Sequence, residues 1–305
     1  MNSVPIVFVH VHHPDVWADM ARDIAGAFSR PFAVVLTCRD AEMPLADVDS
    51  PHVVFTRRLT VENRGRDVLP FMKALRAEGE GFAIGLKLHT KRSVHRADGD
   101  DWRRFLTASL LAGQGGNPEA LVAMERLPTL GLVAPEAHLL SLRSRIVLNG
   151  RITRQMMQAM QLGLTLGELE ARRFAAGSMF WFRREALAPF TNPVLEPLFA
   201  AERGQLDGTA AHAAERLFAA VAERQGYLAA GTEALPALLA SAPDQHAAIV
   251  EAAAAAARNP FVLPLAQFWQ RYPAALVAAH YLYAYAPSPV WRTARALLKR
   301  FTVDR

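Results

Sequence analysis

Apolar residues along this chain follow two rhythms. Short unbroken runs mark buried strands at residues 4–10, 32–37 (just after Pro31), 52–55, 82–88, 130–134 (closed by Pro135) and 174–182, the last rich in aromatics. Between them, apolar residues recur at helical spacing. Over residues 14–28, Val16, Met20, Ile24 and Phe28 share one face. Residues 67–77 and 102–111 read the same way, with Asp67 placed as a first-turn acid or cap. This β-α-β-β-α-β order predicts an α/β fold: a mainly parallel or mixed sheet with helices on both faces. Such sheets bind ligands beyond the carboxyl ends of their strands, where the strand order reverses.

The last third differs. Residues 208–225 and 244–258 are Ala-rich helices, and no strand signal follows residue 208. The expected organisation is an α/β domain over residues 1–230 and a helical C-terminal appendage over 231–305.

Composition narrows the partners. Hydrophobic residues make up 51% of the 305, enough for a sizeable core, so global disorder is excluded. The single cysteine, Cys38, has no partner for a disulfide or a cysteine-based zinc site. The apolar run at the N-terminus lacks a basic leader and is broken by His10 and His12, so it reads as a strand rather than a signal peptide. Residues 273–286 are too short for a membrane span and carry His280. A cytoplasmic protein is therefore expected. The net charge of +5 favours anionic partners, and without basic runs interleaved with aromatics nucleic acid is not expected among them.

Polar residues gather at the ends of the predicted strands. In Glu62-Asn63-Arg64-Gly65-Arg66-Asp67, Gly65 permits a tight backbone path and the helix that follows offers N–H groups to an anion. Arg64 and Arg66 can meet phosphate, and Asn63 or Asp67 can bond a ribose or base; a solvated turn explains the same residues. In Lys87-Leu88-His89-Thr90-Lys91-Arg92-Ser93, Lys87 and His89 share a strand face, and with Lys91 they can neutralise a diphosphate without a metal. An exposed basic loop is the other reading. Gly177 lets a ligand approach the backbone, and Trp181 is either core or a platform for a sugar. Asp207, before Gly208-Thr209, either caps the next helix or acts as a general base. His212 and Arg216 share a face of that helix. His10, His12 and His13 match no standard zinc spacing and are expected to wall a polar cleft.

Taken in order, these stretches resemble the rhamnan synthesis protein F family. The matching text comprises His10-Val11-His12-His13-Pro14-Asp15-Val16-Trp17, Pro31-Phe32 leading to Leu36-Thr37, Asn63-Arg64-Gly65-Arg66-Asp67-Val68-Leu69-Pro70-Phe71, the Lys87 motif, Trp102-Arg103, Gly177-Ser178-Met179-Phe180-Trp181-Phe182-Arg183 and Gly204-Gln205-Leu206-Asp207-Gly208-Thr209. The resemblance implies a GT-A-like nucleotide-binding mixed sheet flanked by helices. It also implies a glycosyltransferase of bacterial surface-polysaccharide assembly. The sugar would be a deoxyhexose, rhamnose foremost, passing from a dTDP- or GDP-linked donor to a polysaccharide or lipid-linked acceptor. GT-A enzymes usually hold the donor diphosphate through a metal on an Asp-x-Asp motif. Here the equivalent strand end carries Lys87, His89 and Lys91, so no cofactor is expected; Asp98 and Asp100 are the lesser alternative of a divalent ion.

On this reading Asn63, Arg64, Gly65, Arg66, Asp67, Lys91 and Gly177 hold the donor, and Lys87 and His89 stabilise the leaving diphosphate. Asp207 takes the acceptor proton, and His10, His12, His212 and Trp181 line the cleft. In residues 288–305, Trp291, Ala294, Leu298 and Phe301 oppose Arg292, Arg295 and Lys299. That pattern suits either an anionic inner-membrane surface or a docked terminal helix. A non-catalytic polysaccharide-binding or scaffolding partner is the rival reading from another class.

Overall fold

Alternation along the central strands sends successive side chains to opposite faces of one sheet. The computed structural model describes residues 4–90, 99–201 and 207–261, with residues 271, 272, 274, 275 and 278. Its elements are β1 (Ile6–His10), α1 (Pro14–Ala27), β2 (Phe32–Cys38), β3 (Val53–Thr60), α2 (Val68–Glu78), β4 (Ile84–His89), α3 (Gly99–Leu111), α4 (Glu119–Arg126) and β5 (Leu130–Ala134). They continue as β6 (Leu139–Ser141), α5 (Gly150–Ala159), α6 (Leu166–Glu170), β7 (Arg173–Ala175), β8 (Phe180–Arg183), α7 (Ala210–Arg224), β9 (Leu228–Gly231), α8 (Leu235–Ala240) and α9 (His246–Ala256).

Seven strands form the main sheet in the order β3-β2-β1-β4-β8-β5-β9, and β6 pairs with β7 apart from it. β1 lies parallel to β2 and β4, and β2 parallel to β3. β8 runs antiparallel to both β4 and β5, and β9 parallel to β5. The sheet is mixed and covered by helices on both faces, as the apolar rhythm predicts.

Ile6 and Phe8 of β1 join Phe180 and Phe182 of β8 in a core roofed by Leu69, Phe71 and Leu75 of α2, Met156 of α5 and Leu217 and Phe218 of α7. Val7 and Val9 turn the other way, into a core with Trp17, Met20 and Ile24 of α1, Leu106 and Leu110 of α3, Leu121 of α4 and Leu235 of α8. Each large side chain so buried contributes about 1.5–3 kcal/mol.

Four expectations meet a different structure. β3 runs to Thr60, well past residue 55; it is the sheet's edge, and most of its residues are exposed, so no apolar run marks its second half. The predicted strand at 174–182 is two strands, broken at Gly177 and Ser178, whose φ angles of 91° and 56° are left-handed. A strand does follow residue 208. β9 is Leu-Ala-Ala-Gly, with no β-branched or aromatic residue to announce it. The boundary expected at residue 230 falls inside β9. Ala234, Leu235, Leu238 and Val250 share the core on the α1 side, so the described part of the expected appendage belongs to the same body. Residues 288–305 lie outside the described residues. Among the described residues, no helix is long and apolar enough to cross a membrane.

Candidate functional site

The chain lays β2 and β3 on one side of β1, then returns to place β4 on the other. Strand order therefore reverses between β1 and β4, and the segments leaving their carboxyl ends part to form a crevice. Because β8 runs against β4, with Phe180 opposite Lys87, the turn before β8 reaches the same edge.

An open cleft with about 600 Å³ of empty space lies there. Its walls are Arg66, Asp67 and Val68 leading into α2; His89 at the end of β4; Trp102, Arg103 and Leu106 on α3; Gly177, Ser178 and Met179 before β8; and Ala211, His212 and Glu215 on α7.

Beneath the floor lies Lys87, 1% exposed. Its ammonium donates to Asp67 Oδ2 at 2.5 Å, to the Ser178 carbonyl at 2.7 Å and to Ser178 Oγ at 2.8 Å. The rings of Phe71, Phe180 and Phe218 stand 5.4, 5.8 and 5.9 Å from the charge. A buried lysine keeps its proton only where such partners offset desolvation. The pair joins two left-handed turns, Gly65-Arg66 and Gly177-Ser178. At Gly65 a Cβ would meet Leu69 Cβ at 2.5 Å and a Phe199 ring carbon at 2.6 Å, so only glycine fits.

His89 Nε2 donates to the Gly177 carbonyl at 2.7 Å, and Glu215 Oε1 accepts the Gly177 N–H at 2.8 Å. Residue 177 is thus held from both sides. His212 opens the α7 wall, with Nδ1 2.8 Å from the hydroxyl of Thr209, the residue that caps α7. His10 pairs through Nδ1 with Thr37 Oγ1 at 3.0 Å. Burial first, then the nearby His89 and Lys87, outweighs the pull of Asp67 and lowers its pKa to about 4.

Of the residues expected at the site, Arg66, Asp67, His89, Gly177 and His212 meet in this cleft. Others do not. Lys87 is already neutralised by Asp67, so it cannot also face a diphosphate. Asn63 is exposed and off the wall, and Arg64 belongs to a surface ion-pair group with Glu62 and Glu196. Gly65 shapes the turn from behind. Trp181 is core: it is fully buried and its indole N–H donates to the Leu110 carbonyl at 2.7 Å. His12 is exposed and stacks edge-on against His13, and His10 lines a separate, much smaller hollow with Lys87 and Phe71.

Asp207 stands behind His212 instead of on the wall. It accepts from Asn149 Nδ2 at 2.8 Å and from Arg216 Nη2 at 3.2 Å, and its Oδ1 is 3.8 Å from His212 Nδ1. The cap role expected of it falls to Thr209. Asp67 likewise makes no cap bond to α2, and its Oδ2 accepts from Lys87. Asp100 opens α3 outside the cleft wall. Lys91 and Asp98 lie outside the described residues. The sequence reading assigned no role to Trp102, Arg103 or Glu215. The signal available was helical spacing: His212 and Glu215 are three apart, as are Arg103 and Leu106, so each pair shares a face.

The family model for rhamnan synthesis protein F matches residues 2–227, which include every residue of the cleft. The chain belongs to that family. Two curated relatives, both called uncharacterized protein WxcX and found in strains of Xanthomonas campestris pv. campestris, are 41% identical over 169 residues. The alignment spans 54% of this chain and 24% of each relative, so the chain matches about a quarter of their length. Among solved structures, a mannosyltransferase, PcManGT from Pyrobaculum calidifontis in complex with GDP-mannose and Mn2+, aligns over 97% of this chain and 85% of that one. The identity is 16% and the TM-score 0.36, a level too low to speak to function.

Proposed function

We propose that this member of the rhamnan synthesis protein F family is a GT-A-like glycosyltransferase. It transfers a deoxyhexose, rhamnose foremost, from a dTDP- or GDP-linked donor to a surface polysaccharide or lipid-linked acceptor. The observation that carries the reading is the cleft at the strand-order reversal, where Arg66, Arg103, His89, His212 and Glu215 converge within the family-matched region.

Sugar transfer needs a held donor, charge stabilisation at the leaving diphosphate and a base for the acceptor hydroxyl. Arg66 and His89 face the donor phosphates. Gly177, at a φ of 91° and with Leu106 and Trp102 packed where a Cβ would stand, brings its backbone to the cleft wall beside the sugar. Among the described residues, Asp67 and Glu215 are the carboxylates of the wall, and Asp67 is bound to Lys87. Glu215 therefore takes the acceptor proton, in place of Asp207. Single displacement from this arrangement inverts the anomeric carbon.

Titration calorimetry with GDP, dTDP and UDP tests the reading. At least one nucleoside diphosphate should bind with a Kd in the range of about 1 μM–1 mM typical of enzyme substrates. Failure of all three would return the chain to a non-catalytic polysaccharide-binding partner.

A further inference from the structure

Arg103 is 6% exposed, yet its guanidinium Nε is buried without a hydrogen-bond partner. The nearest carboxylate oxygen, Asp100 Oδ1, is 3.9 Å away on a side chain that is itself 57% exposed. A guanidinium carries five donors and never gives up its charge. Burying it without partners costs several kcal/mol. It also lines the cleft, on the α3 wall between Trp102 and Leu106. The wall's carboxylates among the described residues are matched locally: Asp67 is met by Lys87, and Glu215 accepts from the Gly177 backbone. Arg103 is a cleft cation whose nearest anion among the described residues is the exposed Asp100.

We infer that Arg103 is the residue that receives the diphosphate, doing the work that Lys87 cannot do because Asp67 already holds it. The inference rests on the cleft being a donor site and adds the residue that recognises the ligand's charge. Its planar fork suits two phosphate oxygens at once. The class of ligand is a pyrophosphate ester, carried either by a nucleoside or by a prenyl lipid.

The test titrates the full chain with inorganic pyrophosphate, with GDP, dTDP and UDP, and with a short-chain prenyl diphosphate in detergent micelles. Arg103→Gln should weaken the ligand that binds by about tenfold to a hundredfold, the value of a lost charge-assisted pair. Its thermal midpoint should stay level or rise, since a cation awaiting a ligand is a burden on the free protein. An arginine held for stability would give the reverse: a lower midpoint and unchanged affinity, which overturns the inference. If Arg103→Gln is too unstable to titrate, Arg103→Lys decides. Loss of the fork alone should weaken binding about threefold or more, and affinity equal to the unaltered protein's overturns the inference. Binding of pyrophosphate and prenyl diphosphate but of no nucleoside diphosphate sinks the donor-site reading while leaving Arg103 its ligand. No binding of any diphosphate sinks both.

Discussion

Lys87 and Asp67 meet at 2.5 Å with side chains 1% and 10% exposed, and through Ser178 the same ammonium grips the turn before β8. Two loops from distant parts of the chain are thereby fixed at one edge of the sheet. Lys87→Met takes from the buried Asp67 the ammonium that it meets, and should cost about 3–5 kcal/mol in urea unfolding. Asp67→Leu alone should cost a similar amount, by stranding the ammonium. The double variant should recover much of the loss, because no uncompensated charge remains. Strict additivity of the two losses would show that the pair is not coupled.

Glu215 is the proposed base, so Glu215→Gln should lower the transfer rate by about 10²–10⁴-fold. Its amide oxygen still accepts from the Gly177 N–H, so nucleoside diphosphate affinity should change little. A transfer rate within a factor of a few of the unaltered protein's would remove Glu215 from that role.

His10 sets a pH dependence. Its folded pKa, about 4, lies below the ordinary 6.5. Between those values the unfolded chain takes up a proton that the folded chain refuses, so acid favours unfolding. Stability should be full above about pH 6.5 and fall as pH drops toward 4. His10 alone should account for about 2 kcal/mol between pH 7.5 and pH 5. Chemical denaturation at those two pH values should show the difference shrinking by that much in His10→Asn.

Asp207 gives the structural counterpart to the site changes. Its carboxylate holds Arg216 and Asn149 beneath the α7 wall. Asp207→Ala should lower stability by about 1–3 kcal/mol, since Arg216 keeps its bonds to the carbonyls of Arg145 and His212. Nucleoside diphosphate affinity should fall less than tenfold. A collapse of binding with no loss of stability would restore Asp207 to the cleft.

Much of this architecture is legible in the chain because the central strands are buried on both faces. Unbroken apolar runs at β1 and β4 leave little else for those residues to be. β3 is announced only by its first residues, Val53 to Phe55, because its exposed edge continues through Thr56, Arg57 and Arg58, and β9 escapes notice as a short Ala-Gly stretch paired only by tertiary context. Site residues at strand ends, such as His89 and Gly177, are readable from position alone. Arg103 and Glu215 reach the cleft from helices, and helical spacing says which residues share a face but not where that face points. Lys87 shows the limit most sharply. A lysine inside a strand does demand an opposite charge, and the structure supplies it from Asp67, twenty residues away in the same chain.

The family match stops at residue 227, one position before β9 begins. A fragment trimmed to that limit would keep every cleft residue and still be badly made. The outer row of amide and carbonyl groups on β5 would lie bare, ready to zip onto another molecule. Four unremarkable residues thus act as the hem of the sheet, and expression trials that end at residue 227 should yield aggregates where those ending beyond residue 256 yield single molecules.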